Sequence, residues 1–264
     1  MALVFRSIAA LSIVLASLLV GGERADANHA WSTYHWARTA NPFTLKLAGN
    51  TQPSGNDSTG TWSSILGLAS ADWSRSTVMD TTIVASSGTK RCRPTTGIVT
   101  VCNDTYGFNG WLGLAQIWLS GSHITQGVSK MNDSYFNAPT YNISTEKRHV
   151  MCQEVGHTFG LGHQDESGAS LNTCMDYYRN TSSTDTKSTT PNQHDYDELV
   201  IIYSHLDSST TIGAAAPKGA GASEGDPGFG EDGTPKGASK DKGKVYVTDL
   251  GGGKRIVTFI FWTH

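Results

Sequence analysis

From Cys152 to Asp165 the chain reads Cys-Gln-Glu-Val-Gly-His-Thr-Phe-Gly-Leu-Gly-His-Gln-Asp, and this spacing leaves few ways to fold. Gln153 and His157 stand four residues apart, so on a helix both project from one face, about 6 Å apart along the axis. Glu154 lies one step round, within reach of a water held by that face. Gly160 and Gly162 can end the helix and supply the left-handed backbone that a sharp turn needs. His163 then returns toward His157 from outside the helix. The pattern predicts a helix over about Thr145–Leu161, with Ser144 as its N-cap and Glu146 in its first turn.

Around this segment the hydrophobic periodicity predicts an α+β order. Phe43–Leu47 alternates as a strand does, and Trp62, Ile65, Leu66, Ala69 and Trp73 make a helical stripe over Trp62–Trp73. Strand-like runs follow at Met79–Ala85, Ile98–Cys102, Leu112–Leu119 and Ile124–Met131. A last helix is expected over Gln193–Leu206, after Pro191, with Tyr196, Leu199, Val200 and Tyr203 as its stripe.

The ends read differently. Arg6, the apolar run Ile8–Val20 and Ala25-Asp26-Ala27 have the layout of a secretory signal peptide over residues 1–27, too short for a comfortable membrane span. Residues 28–207 form the main domain. Residues 208–243, rich in Ser, Gly, Ala, Pro and Lys, cannot bury enough apolar surface to fold alone and are expected to be a linker. Residues 244–264 hold two β-prone runs around Gly251-Gly252-Gly253, which predicts a hairpin tail. A lone hairpin is marginal in water, so it should dock on something.

Charged residues make up 16% of the chain and the formal net charge is −3, with no basic block, which argues against nucleic-acid binding. Export makes the four cysteines an even, oxidised set. The simplest of the three pairings are the local ones, Cys92–Cys102 and Cys152–Cys174, each stabilising by on the order of 3 kcal/mol. No C-x-x-C pair supports a cysteine metal site, and no G-x-S-x-G elbow supports a serine hydrolase.

The Cys152–Asp165 segment resembles the metzincin zinc-peptidase motif HExxHxxGxxH. It matches at Glu154, His157, Gly160 and His163, with Gln153 where the family has its first zinc-ligand histidine. Cys174-Met175-Asp176-Tyr177 resembles the family's methionine turn. A tyrosine two residues past the methionine is similar to the astacin and serralysin branches, and the element order is similar to the matrixin, astacin and serralysin fold. The resemblance covers roughly Asn41–Leu206. It implies a zincin-like domain with a five-stranded mixed sheet, an active-site helix, a methionine turn and a C-terminal helix.

It also implies roles. His157 and His163 are imidazole ligands of Zn²⁺, Gln153 is a neutral third ligand, and Glu154 is general base for a zinc-activated water. Met175 floors the metal, and Tyr177 donates to the oxyanion or acts as a labile fifth ligand. A Cys152–Cys174 bond staples helix to floor, and Leu112–Leu119 is the cleft-edge strand that pairs with an extended peptide substrate. The expected function is therefore a secreted, extracellular zinc metalloendopeptidase. The alternative is an inactive protein of the same fold that binds extended polypeptide.

Several neighbours enter on their own terms. His149 lies a turn before Gln153, as a surface or supporting histidine. Asp165 is placed either to hold His163 by a hydrogen bond or to stand as a solvated carboxylate. His29, His35, His123, His194 and His205 have no ligand-like spacing to the motif. Asn56, Asn103, Asn132, Asn142 and Asn180 begin N-x-Ser/Thr sequons, which mark polar loops.

Overall fold

The computed structural model describes residues 29–86, 92–215, 228, 234–236, 239–240 and 245–263. The expected signal segment, and the expected linker apart from its first residues and a few isolated ones, lie outside these. Among the described residues no helix is long and apolar enough to cross a membrane. The chain order is β1 (His35–Trp36), β2 (Phe43–Asn50), α1 (Trp62–Trp73), β3 (Met79–Ala85), β4 (Val99–Asp104), β5 (Trp111–Ser120), β6 (His123–Asn132), α2 (Asp133–Phe136), α3 (Ser144–His157), α4 (Gln193–Ile202), β7 (Ser239–Lys240), β8 (Val245–Gly251) and β9 (Lys254–Trp262).

Local chemistry accounts for the helices. Thr61 caps α1 by accepting from the Ser64 backbone N–H at 3.2 Å, and the apolar stripe of α1 is buried. Asn192 and Asp195 make a reciprocal capping box at the start of α4. At α3 the expectation fails: the helix begins at Ser144, and Ile143 holds the cap position without a side-chain bond. That helix is stabilised by tertiary contacts instead. The Trp36 indole donates to Thr158 O at 2.8 Å, the Tyr203 hydroxyl to Phe159 O at 2.8 Å, and the Trp73 indole to Cys152 O at 3.1 Å. Both α3 and α4 end earlier than expected, at His157 and Ile202.

The sheet is wider than the five strands expected. Its nine strands run β3-β2-β4-β6-β5-β9-β8-β7, with β1 also paired to β6. β2, β3, β4 and β6 are parallel where they meet, and β5 is antiparallel to β6. The extra width comes from the tail. β9 pairs antiparallel with β5 along its length, from Trp111↔Trp262 to Ser120↔Lys254, and β8 pairs with β9. An unpaired edge and a strongly apolar strand drive this pairing. Val257, Phe259 and Phe261 of β9 enter the main core, while Ile256 and Ile260 join two smaller clusters on the opposite face. All five are fully buried, each contributing about 1.5–3 kcal/mol before the cost of ordering the chain.

Cys92–Cys102 and Cys152–Cys174 are joined as disulfides. The sequons are not all loop residues. Asn103 lies in β4 and Asn132 ends β6, both buried because backbone carbonyls take up their amides: Gln52 O at 3.0 Å from Asn103 and Gly107 O at 2.8 Å from Asn132. Asn142 and Asn180 are buried as well.

Glu146 in the first turn of α3 is a buried acid. Burial pushes its carboxyl up to about 8, against which an Asn180 backbone hydrogen bond and Arg179 act weakly. The native state therefore holds this proton more tightly than the unfolded chain does. Stability should fall as pH rises from the ordinary carboxylate range to about 8, by up to about 1.4 kcal/mol per pH unit. Glu146→Gln is expected to flatten that slope, measured by denaturant unfolding at pH 5, 6.5 and 8; an unchanged slope rejects the assignment.

Candidate active site

α3 carries Gln153, Glu154 and His157, all with no exposure, and its end is shaped for a sharp turn. Gly160 takes φ +99°, and a Cβ there would collide with the carbonyl of Tyr34. A Cβ on Gly156 would stand 2.6 Å from the Trp73 ring and 2.7 Å from the Met175 sulfur, so the helix and the segment carrying Met175 meet closely at a glycine. Beyond Gly160 the chain runs beside that segment. Gln164 N–H donates to Met175 O and Tyr177 N–H to Asp165 O, each at 2.8 Å. The Cys152–Cys174 bond ties the two segments again.

His157 and His163 come together there. Their Nε2 atoms are 3.1 Å apart and their rings cross at 81°. The His157 Nδ1–H donates to Leu161 O at 2.8 Å, and the His163 Nδ1–H to the Glu166 carboxylate at 2.8 Å. With both Nδ1 protons so engaged, two Nε2 lone pairs face each other. Burial, and then the nearby His163, hold the His157 pKa well below its ordinary value, so a shared proton is disfavoured. Two nitrogens at 2.0–2.1 Å from a tetrahedral zinc are about 3.3 Å apart. The pair therefore fits such an ion.

Gln153 meets a different environment. Its Nε2 donates to Cys174 O at 2.9 Å and to Asp176 O at 2.7 Å. Two carbonyl acceptors fix the amide orientation, leaving Oε1 buried and without a partner among the described residues. An amide oxygen without a partner fits a hard cation, as a weaker donor than imidazole. Among the described residues both Glu154 carboxylate oxygens also lack partners, and burial raises its pKa well above the usual range. A Cβ on Gly113 of β5 would lie 2.9 Å from Glu154 Cγ, so the carboxyl packs directly under that strand.

β9 closes the site. Phe259 stacks on His157 at 4.2 Å and 8°, and Phe261 stacks on Tyr177 at 4.8 Å and 22°. The Tyr177 hydroxyl donates to Ile260 O at 3.1 Å and accepts from Trp262 N–H. Its ring lies edge-on to His163 at 5.4 Å, and burial raises its pKa. The expected cleft-edge strand is thus not an edge, because β9 already occupies it.

Two neighbours each follow one of the alternatives that the sequence left open. Asp165 does not hold His163; its carboxylate accepts from the backbone N–H groups of Ser167, Gly168 and Ala169, and Glu166 takes the histidine instead. His149 is fully buried, bonded to Asp176 O at 3.0 Å and edge-on to Phe261. Far from the motif in sequence, His35, His123, His205 and Asp207 meet in a cluster.

No protein-family model and no curated protein matches the sequence. Among solved structures, the chain is similar to high choriolytic enzyme 1, a hatching enzyme zinc-protease from the medaka fish Oryzias latipes. That likeness has 12% identity and a TM-score of 0.37, covering 67% of this chain and 99% of the other.

Proposed function

We propose that this chain is a zinc-dependent endopeptidase of the metzincin type, held closed by its own C-terminal strand. What supports the reading is the facing pair of Nε2 atoms on His157 and His163, with an unpartnered carboxyl on the same helix. His157, His163 and Gln153 Oε1 would hold the ion. Zinc, when bound, supplies Lewis acidity to a carbonyl and to water. Glu154 takes the proton of the attacking water and passes it to the leaving amine. Once β9 withdraws, the Tyr177 hydroxyl is free to donate to the developing oxyanion, and β5 offers its backbone to an extended peptide as it now does to β9. The disulfides fit an oxidising compartment, as the exported reading requires.

Metal analysis tests the site directly. Full-length chain purified from an oxidising compartment should carry a zinc ion that His157→Ala removes. Gln153→His should tighten its binding by roughly 10- to 100-fold, since imidazole replaces an amide. Failure of His157→Ala to change zinc content rejects the site. Zinc that binds without any peptide hydrolysis after β9 is released favours the inactive peptide-binding protein.

A further inference from the structure

The second histidine cluster is built from three separate parts of the fold. β1 pairs parallel with β6 in a register that sets His35 directly beside His123, their rings 5.0 Å apart and edge-on. His205 and Asp207 follow α4, and the Asp207 N–H donates to Arg38 O at 2.9 Å. The Arg38 N–H and Nη1 both donate to Asp207 Oδ2, at 3.1 and 3.2 Å. This fixes the carboxylate and leaves Oδ1 to the histidines. His35 Nε2 is 3.3 Å from Oδ1, His123 Nε2 3.2 Å and His205 Nε2 3.9 Å.

The tautomers make this convergence informative. The His35 Nδ1–H donates to Thr33 O at 2.7 Å, so the Nε2 of the neutral ring carries a lone pair. That lone pair faces a carboxylate oxygen and, at 3.1 Å, the Nε2 of His205. The His205 Nε2–H tautomer can donate to that lone pair, but the carboxylate contact is repulsive unless a cation or an additional proton lies there. His35 and Asp207 are largely buried, while the side chains of His123 and His205 are 38% and 52% exposed, which gives an ion a way in.

We infer that His35, His123 and Asp207, whose ligand atoms all lie within 4.8 Å of one another, form a second metal site, taking a divalent first-row transition ion, with zinc the best match and His205 at its border. Two imidazole nitrogens and one carboxylate oxygen are a borderline donor set that leaves a fourth position for solvent or for the neighbouring His205. Calcium and magnesium prefer cages of oxygen. The Arg38 charge opposes a cation, but it is spent on the other carboxylate oxygen and holds Asp207 as an outer-sphere support. Neither these three ligands nor His205 belongs to the α3 site. The ion clips the N-terminal segment, the start of β6 and the end of α4 to one another, a structural role.

The test uses the full-length chain carrying His157→Ala and His163→Ala, so that any bound metal is not at the α3 site. After dialysis against zinc or cobalt, about one ion per chain is expected by mass spectrometry. Cobalt should give the intense visible absorption of a tetrahedral centre. Asp207→Asn should abolish retention, and the half-exposed His123→Ala should weaken it at least tenfold while leaving the circular dichroism unchanged. Metal at a hundredfold excess over Kd should raise the thermal midpoint by about 5–10 °C over chelator-treated chain. Absence of bound metal in that background overturns the inference, as does retention indifferent to Asp207→Asn and His123→Ala; the cluster is then a proton-sharing polar network.

Discussion

Cutting the chain between Ala215 and Val245, at a protease site engineered there, is expected to switch on hydrolysis of unstructured polypeptide. Intact, β9 lies antiparallel on β5 and its Phe259 covers His157. A tethered strand competes at an effective concentration on the order of millimolar. A peptide substrate at about 10 μM is therefore outcompeted by roughly 100-fold even at equal affinity, and the cut followed by dilution removes that advantage. Release need not be fast, because five fully buried side chains anchor β9. Phe259→Asp should hasten it by placing a charge against the His157 ring in an apolar setting. Adding back a peptide of residues 254–262 should inhibit again, competitively with substrate. A cut chain freed of its hairpin, still folded and still holding zinc, that hydrolyses nothing would remove the case for latency and for peptidase activity together.

What the sequence made legible was local. The spacing of Gln153, Glu154, His157 and His163 on one helix and its exit turn needs only helix geometry, and Met175 follows within a short loop. The α1 stripe and the strands β2 to β6 follow from periodicity of the same short range. Long-range pairing was not legible. Periodicity marks β9 as buried without saying what buries it, and nothing in Leu112–Leu119 announces that a strand from the far end of the chain lies along it. Similarly, His35 and His123 become neighbours only through a parallel register, and Asp207 joins them only because backbone bonds to Arg38 hold it there. Glu166 was missed by one residue. Its neighbour Asp165 is drawn off to the N–H groups of the following turn, and one step along the loop reverses which carboxylate faces His163.

Glu154→Gln carries the sharpest consequence for the chemistry. The amide keeps the shape of the carboxyl and none of the proposed zinc donors is altered, so metal content should stay the same. The opened chain should lose hydrolysis by about 10²–10⁴-fold, the usual range for a missing general base. Stability of the closed chain stripped of metal by a chelator should move the other way. Burial raises the Glu154 pKa, so the native state binds this proton more tightly than the unfolded chain. Its contribution declines as pH rises above the ordinary carboxylate range, and the amide variant lacks that decline. At pH 8 the closed, metal-free Glu154→Gln chain should therefore be more stable than the metal-free parent, while its opened, zinc-loaded form is nearly inert. An acid kept only for packing would not lower activity when replaced, and an acid that held the metal would lower zinc content too. Activity within about threefold of the parent, measured on the opened chain at equal zinc occupancy, would show that Glu154 does not carry the proton.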